Sequence, residues 1–341
     1  MTARVEVDLE AFARNLHRIR ATVAPAQHLL VVKDDAYGHG LPAIVGRAVD
    51  EGVAWFGTFD VATAVAVRQT GGAGCRVLAW TVYDEADIDA ALEADIELGV
   101  GDATLLGDVI ERARALGACA RVHLKVDTGL HRNGIRPEEW AAAVARGQDA
   151  AAAGAVRIEG VWSHIAEASD AEDDAARTTF MSAADAVEGP VLRHLAASAA
   201  AFARPEFRFD LVRIGAFAYG IRPEGGPSEG ELGIEPIATL SAEVVEVAGG
   251  DVRVDAGSLD GLDSRLAGRL QVATPGGARR LGAVAETSAR VDAWEDACVG
   301  DRVDLIGRGA PSTATDAAEM LGTIGEEIVL RFSPRLPRRY R

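Results

Sequence analysis

Up to about residue 225 the chain repeats one unit, a short apolar, β-favouring run followed by an Ala-rich amphipathic stretch. The runs are LLVVK, AWFGTF, RVLAW, IELGV, RVHLKV, RIEGVWSH, VLRHLAAS and LVRIGAFAYG. Between them lie segments such as ATLLGDVIERARALG and EEWAAAVARGQDAAAAG, with helical spacing of their apolar residues. Strands that alternate with helical crossovers pair in parallel, and eight of them predict a (β/α)8 TIM-type barrel. A doubly wound open sheet is the structural alternative.

The repeat stops at IRPEGGPSEGELG, residues 221–233. Beyond it come ATLSAEVVEVAGGDVRVDAG, RLQVATPGGARRLGAVAE and DRVDLIGRG, short alternating runs broken by Gly turns. The expected organisation is a barrel over 1–225 and a C-terminal mostly-β domain with little helix over 226–341. The first strand of the chain is free to pack with the β domain. A length of 341 residues suits two domains of this kind.

A net charge of −17 argues against nucleic acid or an anionic membrane as partner. The opening MTARVEVDLEAFARNL carries charges throughout, and no apolar run reaches membrane-spanning length. Cys75, Cys119 and Cys298 are odd in number and widely spaced, which reads as reduced thiols and a cytoplasmic protein.

In a (β/α)8 barrel the chemistry sits at the C-terminal ends of the strands. Lys33 ends the first strand. Lys125 and Asp127 end the fifth, His164 the sixth, His194 and Ser198 the seventh, and Arg213 with Gly215 the eighth. Composition sharpens this reading. Of 35 basic residues only Lys33 and Lys125 are lysines. A lysine amine can become neutral and nucleophilic, whereas a guanidinium stays charged. The chemistry that fits is pyridoxal 5′-phosphate, its aldehyde held covalently by Lys33. The glycines of AYGHG and RIGAFAYG would let backbone amides approach a phosphate. Tyr37 and Ser198 could donate hydroxyls to it, and Arg213 would contact the ring nitrogen.

The ordered motifs VVKDDAYGHG, HLKVDTGLHRNGI, SHIAEAS, HLAASAAAF, VRIGAFAYGIRP and GTIGEEIVLRFSPRLPRRY resemble those of the alanine racemase family from end to end. The resemblance implies a fold-type III pyridoxal phosphate enzyme that works as a homodimer, its active site shared across the interface. It implies that Lys33 holds the cofactor, and that Tyr37, Ser198, Gly215 and Ala216 bind its phosphate. It implies that His164 tunes Arg213 and that Lys125 is carbamylated and orients Arg132.

The same resemblance exposes departures. Family members place a tyrosine of the partner's β domain opposite the cofactor lysine. Here the four tyrosines are Tyr37, Tyr83, Tyr219 and Tyr340, and only Tyr340 lies beyond residue 225. Ser258 in DAGSLDG replaces a tyrosine, Glu286 and Thr287 replace a Met-Asp pair, Glu326 replaces a phosphate-contacting tyrosine, and Ala197 replaces an asparagine. The β half has no His or Lys.

The expectation is therefore an enzyme acting on an amino acid or related amine by decarboxylation, elimination or one-face proton exchange. Its catalytic set would be Lys33, His164, Arg132, Lys125 and Glu286. A racemase or epimerase with Glu286, Asp260 or Glu326 as second base is the alternative. A pyridoxal-phosphate-binding protein without turnover is the third reading.

Overall fold

The computed structural model describes residues 2–341. They sort into two compact units, one of Ile19–Lys33 with Ala48–Gly215, the other of residues 2–18, Asp34–Arg47 and Ala216–Arg341. Strand β1 (Arg4–Val7) opens the chain. The first unit holds β2 (Gln27–Val31), β3 (Trp55–Asp60), β4 (Arg76–Thr81), β5 (Glu97–Val100), β6 (Ala120–Lys125), β7 (Val156–Trp162), β8 (Leu192–His194) and β9 (Leu211–Ile214). All pair in parallel, in the order β8-β7-β6-β5-β4-β3-β2-β9. The ends of that order are tied together. The Asp210 N–H donates to the Arg193 carbonyl and the Arg213 N–H to the Ala196 carbonyl, each at 3.1 Å. The eight runs of the sequence are thus the eight strands of a barrel, and the open-sheet alternative falls.

Local chemistry sets the crossovers. The helix Ala103–Leu116 starts where the Asp102 side chain accepts from the Leu105 N–H, and it stops at left-handed Gly117. Its buried residues Leu106, Val109, Ile110 and Ala113 recur at helical spacing and cover one face.

The barrel interior is filled by rings, and glycines on neighbouring strands make the room. A β-carbon on Gly57 would run into Leu29 and lie 2.8 Å from Trp80. One on Gly99 would lie 2.9 Å from Trp80 and 3.0 Å from Trp162, and one on Gly160 would strike the His123 ring. Trp80 and Trp162 meet with ring centroids 6.3 Å apart. Because interiors are packed to crystal-like density, these glycines are set by shape and not by flexibility.

The second unit is built on β1, β10 (Ala238–Ala248), β11 (Asp251–Val254), β12 (Gln271–Thr274), β13 (Gly277–Val284), β14 (Ala289–Asp292), β15 (Arg302–Gly307) and β16 (Arg338–Tyr340). The order is β11-β14-β13-β12-β15-β10-β1-β16, and a further β10–β11 pairing closes its first six strands into an antiparallel barrel. β1 runs antiparallel to β10 and parallel to β16. More helix is present here than the sequence suggested. Ala314–Leu321 and Gly325–Arg331 follow β15. The first is started by a Thr313–Asp316 capping box and ended by left-handed Gly322, signals that the Gly-rich surroundings obscured.

The packing yields a test. Gly57→Ala should cost about 1–3 kcal/mol through overpacking against Leu29 and Trp80. In urea the unfolding midpoint should fall while the slope stays unchanged.

Candidate active site

Lys33 does not end its strand as the sequence suggested. β2 stops at Val31, and Lys33 opens a turn in which Asp34, Asp35, Ala36 and Tyr37 all have φ between 53° and 55°. Four consecutive non-glycine residues thus wind in the left-handed sense. That conformation costs roughly 1–2 kcal/mol per residue and persists only when its surroundings enforce it. Asp35 enforces it locally, accepting the Leu41 N–H on its carboxylate at 2.7 Å and the Gly40 N–H on its carbonyl at 3.0 Å. The C-terminal signature enforces it from afar. Arg338 Nε donates to the Gly38 carbonyl at 3.1 Å, and Tyr340 Oη donates to the His39 carbonyl at 3.1 Å. Gly40 must lack a side chain, because a β-carbon would occupy the place of the Tyr340 hydroxyl.

At the C-terminal ends of the barrel strands the structure gathers Lys33, Lys125, Arg132, His164, Ser198, Arg213 and Gly215. Arg213, on β9, is buried. Its guanidinium donates to the carbonyls of Ser163 (2.6 Å), His194 (2.9 Å) and Leu195 (3.0 Å), and meets His164 Nδ1 at 3.2 Å. Burial lowers it to about 9, so it remains a cation at neutral pH. Trp162 forms a platform beneath the cations, with Lys125 Nζ 4.7 Å and Arg213 Cζ 5.1 Å from its ring centre. Ser198 Oγ accepts the Gly215 N–H at 3.2 Å.

The electrostatics identify what the site accommodates. Burial, and then the charges of Arg213, Arg132, Lys125 and Lys33 in that order, push His164 down to about 3. Burial, Arg213 and Arg132 bring Lys125 to about 8, opposed only by Asp127. Four cations bear on this one neutral imidazole and Asp127 is the acid that acts on Lys125, so the mouth carries a deficit of negative charge in a chain of net charge −17. The doubly charged phosphate of pyridoxal 5′-phosphate and a substrate carboxylate fit that deficit.

The remaining sequence candidates lie in the second unit. Tyr37 is buried, its ring 4.7 Å from that of Tyr219, and burial together with Glu326 and Asp34 pushes its phenol well above its ordinary range. Ala216 opens a short 3-10 turn. Glu286 is exposed, and its carbonyl accepts the Leu259 N–H at 2.9 Å. Asp260 is buried and committed to its own turn, its carboxylate accepting the Gly257 N–H at 2.9 Å. Sequence reasoning missed Asn133, whose side-chain oxygen accepts from Lys125 Nζ at 3.1 Å. It also missed Gly101, whose β-carbon would displace that amide. Asn133 lies within HLKVDTGLHRNGI but carries no signal of its contact there, and only the fold brings it and Gly101 to Lys125.

Comparison with known proteins gives the family of the chain. The model of the "Alanine racemase, N-terminal domain" family matches residues 7–223, and that of the "Alanine racemase, C-terminal domain" matches 252–340. The alanine racemase of Beutenbergia cavernae is 38% identical, covering 98% of this chain and 97% of its own. Among solved structures, alanine racemase from Streptomyces coelicolor superposes with a TM-score of 0.93 at 32% identity, over 99% of this chain and 98% of that one. The alanine racemase of a D-cycloserine-producing Streptomyces lavendulae gives 0.91 at 34% identity, over 100% and 97%. Over both halves, then, the chain belongs to the alanine racemase family, the pyridoxal 5′-phosphate enzymes of this two-barrel fold.

Proposed function

We propose that the protein is a pyridoxal 5′-phosphate-dependent enzyme of amino acids that moves the α-proton from the Lys33 face, as an isomerase with a weakened second face. The observation that carries it is the cationic mouth around His164, kept complete while the β half holds no Tyr upstream of Tyr340, no His and no Lys. The bound cofactor supplies an electron sink for the charge left at the α-carbon. Lys33 Nζ holds the cofactor and carries the α-proton on one face. Arg213 contacts the ring nitrogen as a donor only. Ser198 would anchor the phosphate with the amide of Gly215. On the opposite face Glu286 is the most accessible carboxylate, because Asp260 already caps its own turn. A carboxylate is a far weaker base than a phenolate, with reference values near 4.3 and 10.

Alanine in deuterated water tests this. Deuterium should enter Cα with retention, and the other enantiomer should form about 10²–10⁴-fold more slowly than an efficient two-base enzyme allows. Chiral chromatography with mass spectrometry reads both. Racemisation at full rate would overturn the weakened second face and turn attention to Glu286. Borohydride should fix the cofactor on the Lys33 peptide; label on Lys125 would overturn the site. A second reading, decarboxylation or elimination, is favoured by the missing phenol, since neither needs matched proton carriers on two faces. The same spectra would reveal the lighter product.

The proposal extends to the assembly. The active unit is a homodimer in which a second copy brings its Glu286-bearing face to the mouth. Light scattering on active protein should give twice the chain mass, and a fully active monomer would exclude it.

Lys125 is proposed to take up carbon dioxide and then orient Arg132, which as a free amine it repels. Its depressed value makes a neutral amine available near pH 8. The same depression fixes a sign for stability. The folded state binds this proton less tightly than the unfolded chain, so stability should rise as pH climbs from about 8 to 10.5. In carbonate-free buffer that rise should be smaller in Lys125→Met, as measured by urea midpoints across this window.

A further inference from the structure

A line of titratable groups that the proposed reaction does not use runs through the barrel interior. Glu97 on β5, His123 on β6 and His194 on β8 are each 0% exposed. Arg76 grips Glu97 with two hydrogen bonds, Nε to Oε1 at 2.6 Å and Nη2 to Oε2 at 2.7 Å, and Arg121 Nη1 lies 3.2 Å from Oε1. His123 Nε2 is 2.8 Å from Glu97 Oε2, His123 Nδ1 is 2.9 Å from His194 Nε2, and His194 Nδ1 is 3.3 Å from Arg213 Nη1.

The direction of every bond is forced. A guanidinium only donates, so His194 Nδ1 accepts and its single proton sits on Nε2. His123 Nδ1 must then accept, which puts the His123 proton on Nε2, pointing at Glu97. Burial opposes ionisation of Glu97, but His123 and Arg76 outweigh it and hold the carboxyl at about 2. Burial, with the Arg213 charge beside it, keeps His194 neutral. Packing fixes the rings. Trp162 stacks on His194 at 5.7 Å and 2°, Trp55 meets His123 edge-on at 6.1 Å, and the missing side chain of Gly160 leaves room for His123.

We propose that Glu97, His123 and His194 form a one-way hydrogen-bond chain that serves as the remote counter-charge of Arg213, fixing its orientation and its donor character toward the cofactor. All three are positioning residues. Successive hydrogen bonds polarise one another in a low-dielectric interior, so the Glu97 charge is felt at the guanidinium without contact. The proposal rests on the reading that Arg213 faces pyridoxal 5′-phosphate.

Nitrogen-15 NMR of histidine-labelled full-length protein, with and without pyridoxal 5′-phosphate, tests it. Resonances are assigned by their loss in His123→Asn and His194→Asn. Both imidazoles should be neutral and protonated on Nε2. A doubly protonated ring, or an Nδ1–H form of either, overturns the chain. Glu97→Gln can present an N–H to His123 and let the chain reverse. It should raise the Nδ1–H population of His194, shift the visible band of the bound cofactor and weaken its binding about tenfold, as loss of an outer hydrogen-bond partner does. A folded Glu97→Gln protein with unchanged His194 resonances and an unchanged band overturns the proposal. Gly160→Ala, which forces His123 away from His194 and leaves Glu97 intact, should change the same two signals. Failure of Lys33 to take up the cofactor would sink the functional reading alone, because the tautomers of the cofactor-free protein still decide the chain.

Discussion

A guanidinium that no carboxylate touches lies at the heart of the site. Among the described residues Arg213 has three backbone carbonyls and two imidazoles as partners, and no acid. Removing a cation from water without an adjacent counter-ion is costly. The barrel offsets that cost with three backbone carbonyls, the Trp162 face and the rings of His164 and His194. An adjacent carboxylate would neutralise the positive field. Its absence preserves that field for whatever anion enters. Burial first, and then the charges of Arg213 and Arg132, depress His164 and Lys125.

The contrast with the rest of the molecule is sharp. The chain carries 52 acidic against 35 basic residues, and most arginines are consumed in surface pairs such as Arg222 with Asp316 and Glu319. Exposed pairs of this kind contribute little each. The mouth is different because several cations bear on one buried imidazole there, while Arg213 itself is held by carbonyls and rings.

The barrel was legible in the sequence because each strand is short, apolar and followed by an amphipathic helix, a pattern that local propensity and burial both favour. The strand-end positions of Lys125 and Arg213 followed from that count, whereas Lys33 and His164 each fall two residues beyond the ends of their strands, at Val31 and Trp162. What stayed hidden depends on contacts between distant residues. KDDAYG carries no sign of a left-handed turn, since none of Asp34, Asp35, Ala36 and Tyr37 prefers that conformation enough to announce it. The Gly-for-ring exchanges at Gly57, Gly99 and Gly160 look like ordinary weak points of a strand until the neighbouring strand is known. Glu97 in IELGV reads as a strand residue turned to solvent, and only Arg76 and His123 explain why it is buried.

The clamp on the turn after Lys33 bears on the order of synthesis. Gly38 and Arg338 are separated by 300 residues, and His39 and Tyr340 by 301. The turn after Lys33 is synthesised early, yet two of the bonds that hold it come from β16. Before that strand is made, only the local bonds of Asp35 to Leu41 and Gly40 favour the left-handed turn. The turn is thus made some 300 residues before the groups that clamp it, and one short stretch of backbone owes its shape to side chains that share none of its neighbourhood in sequence.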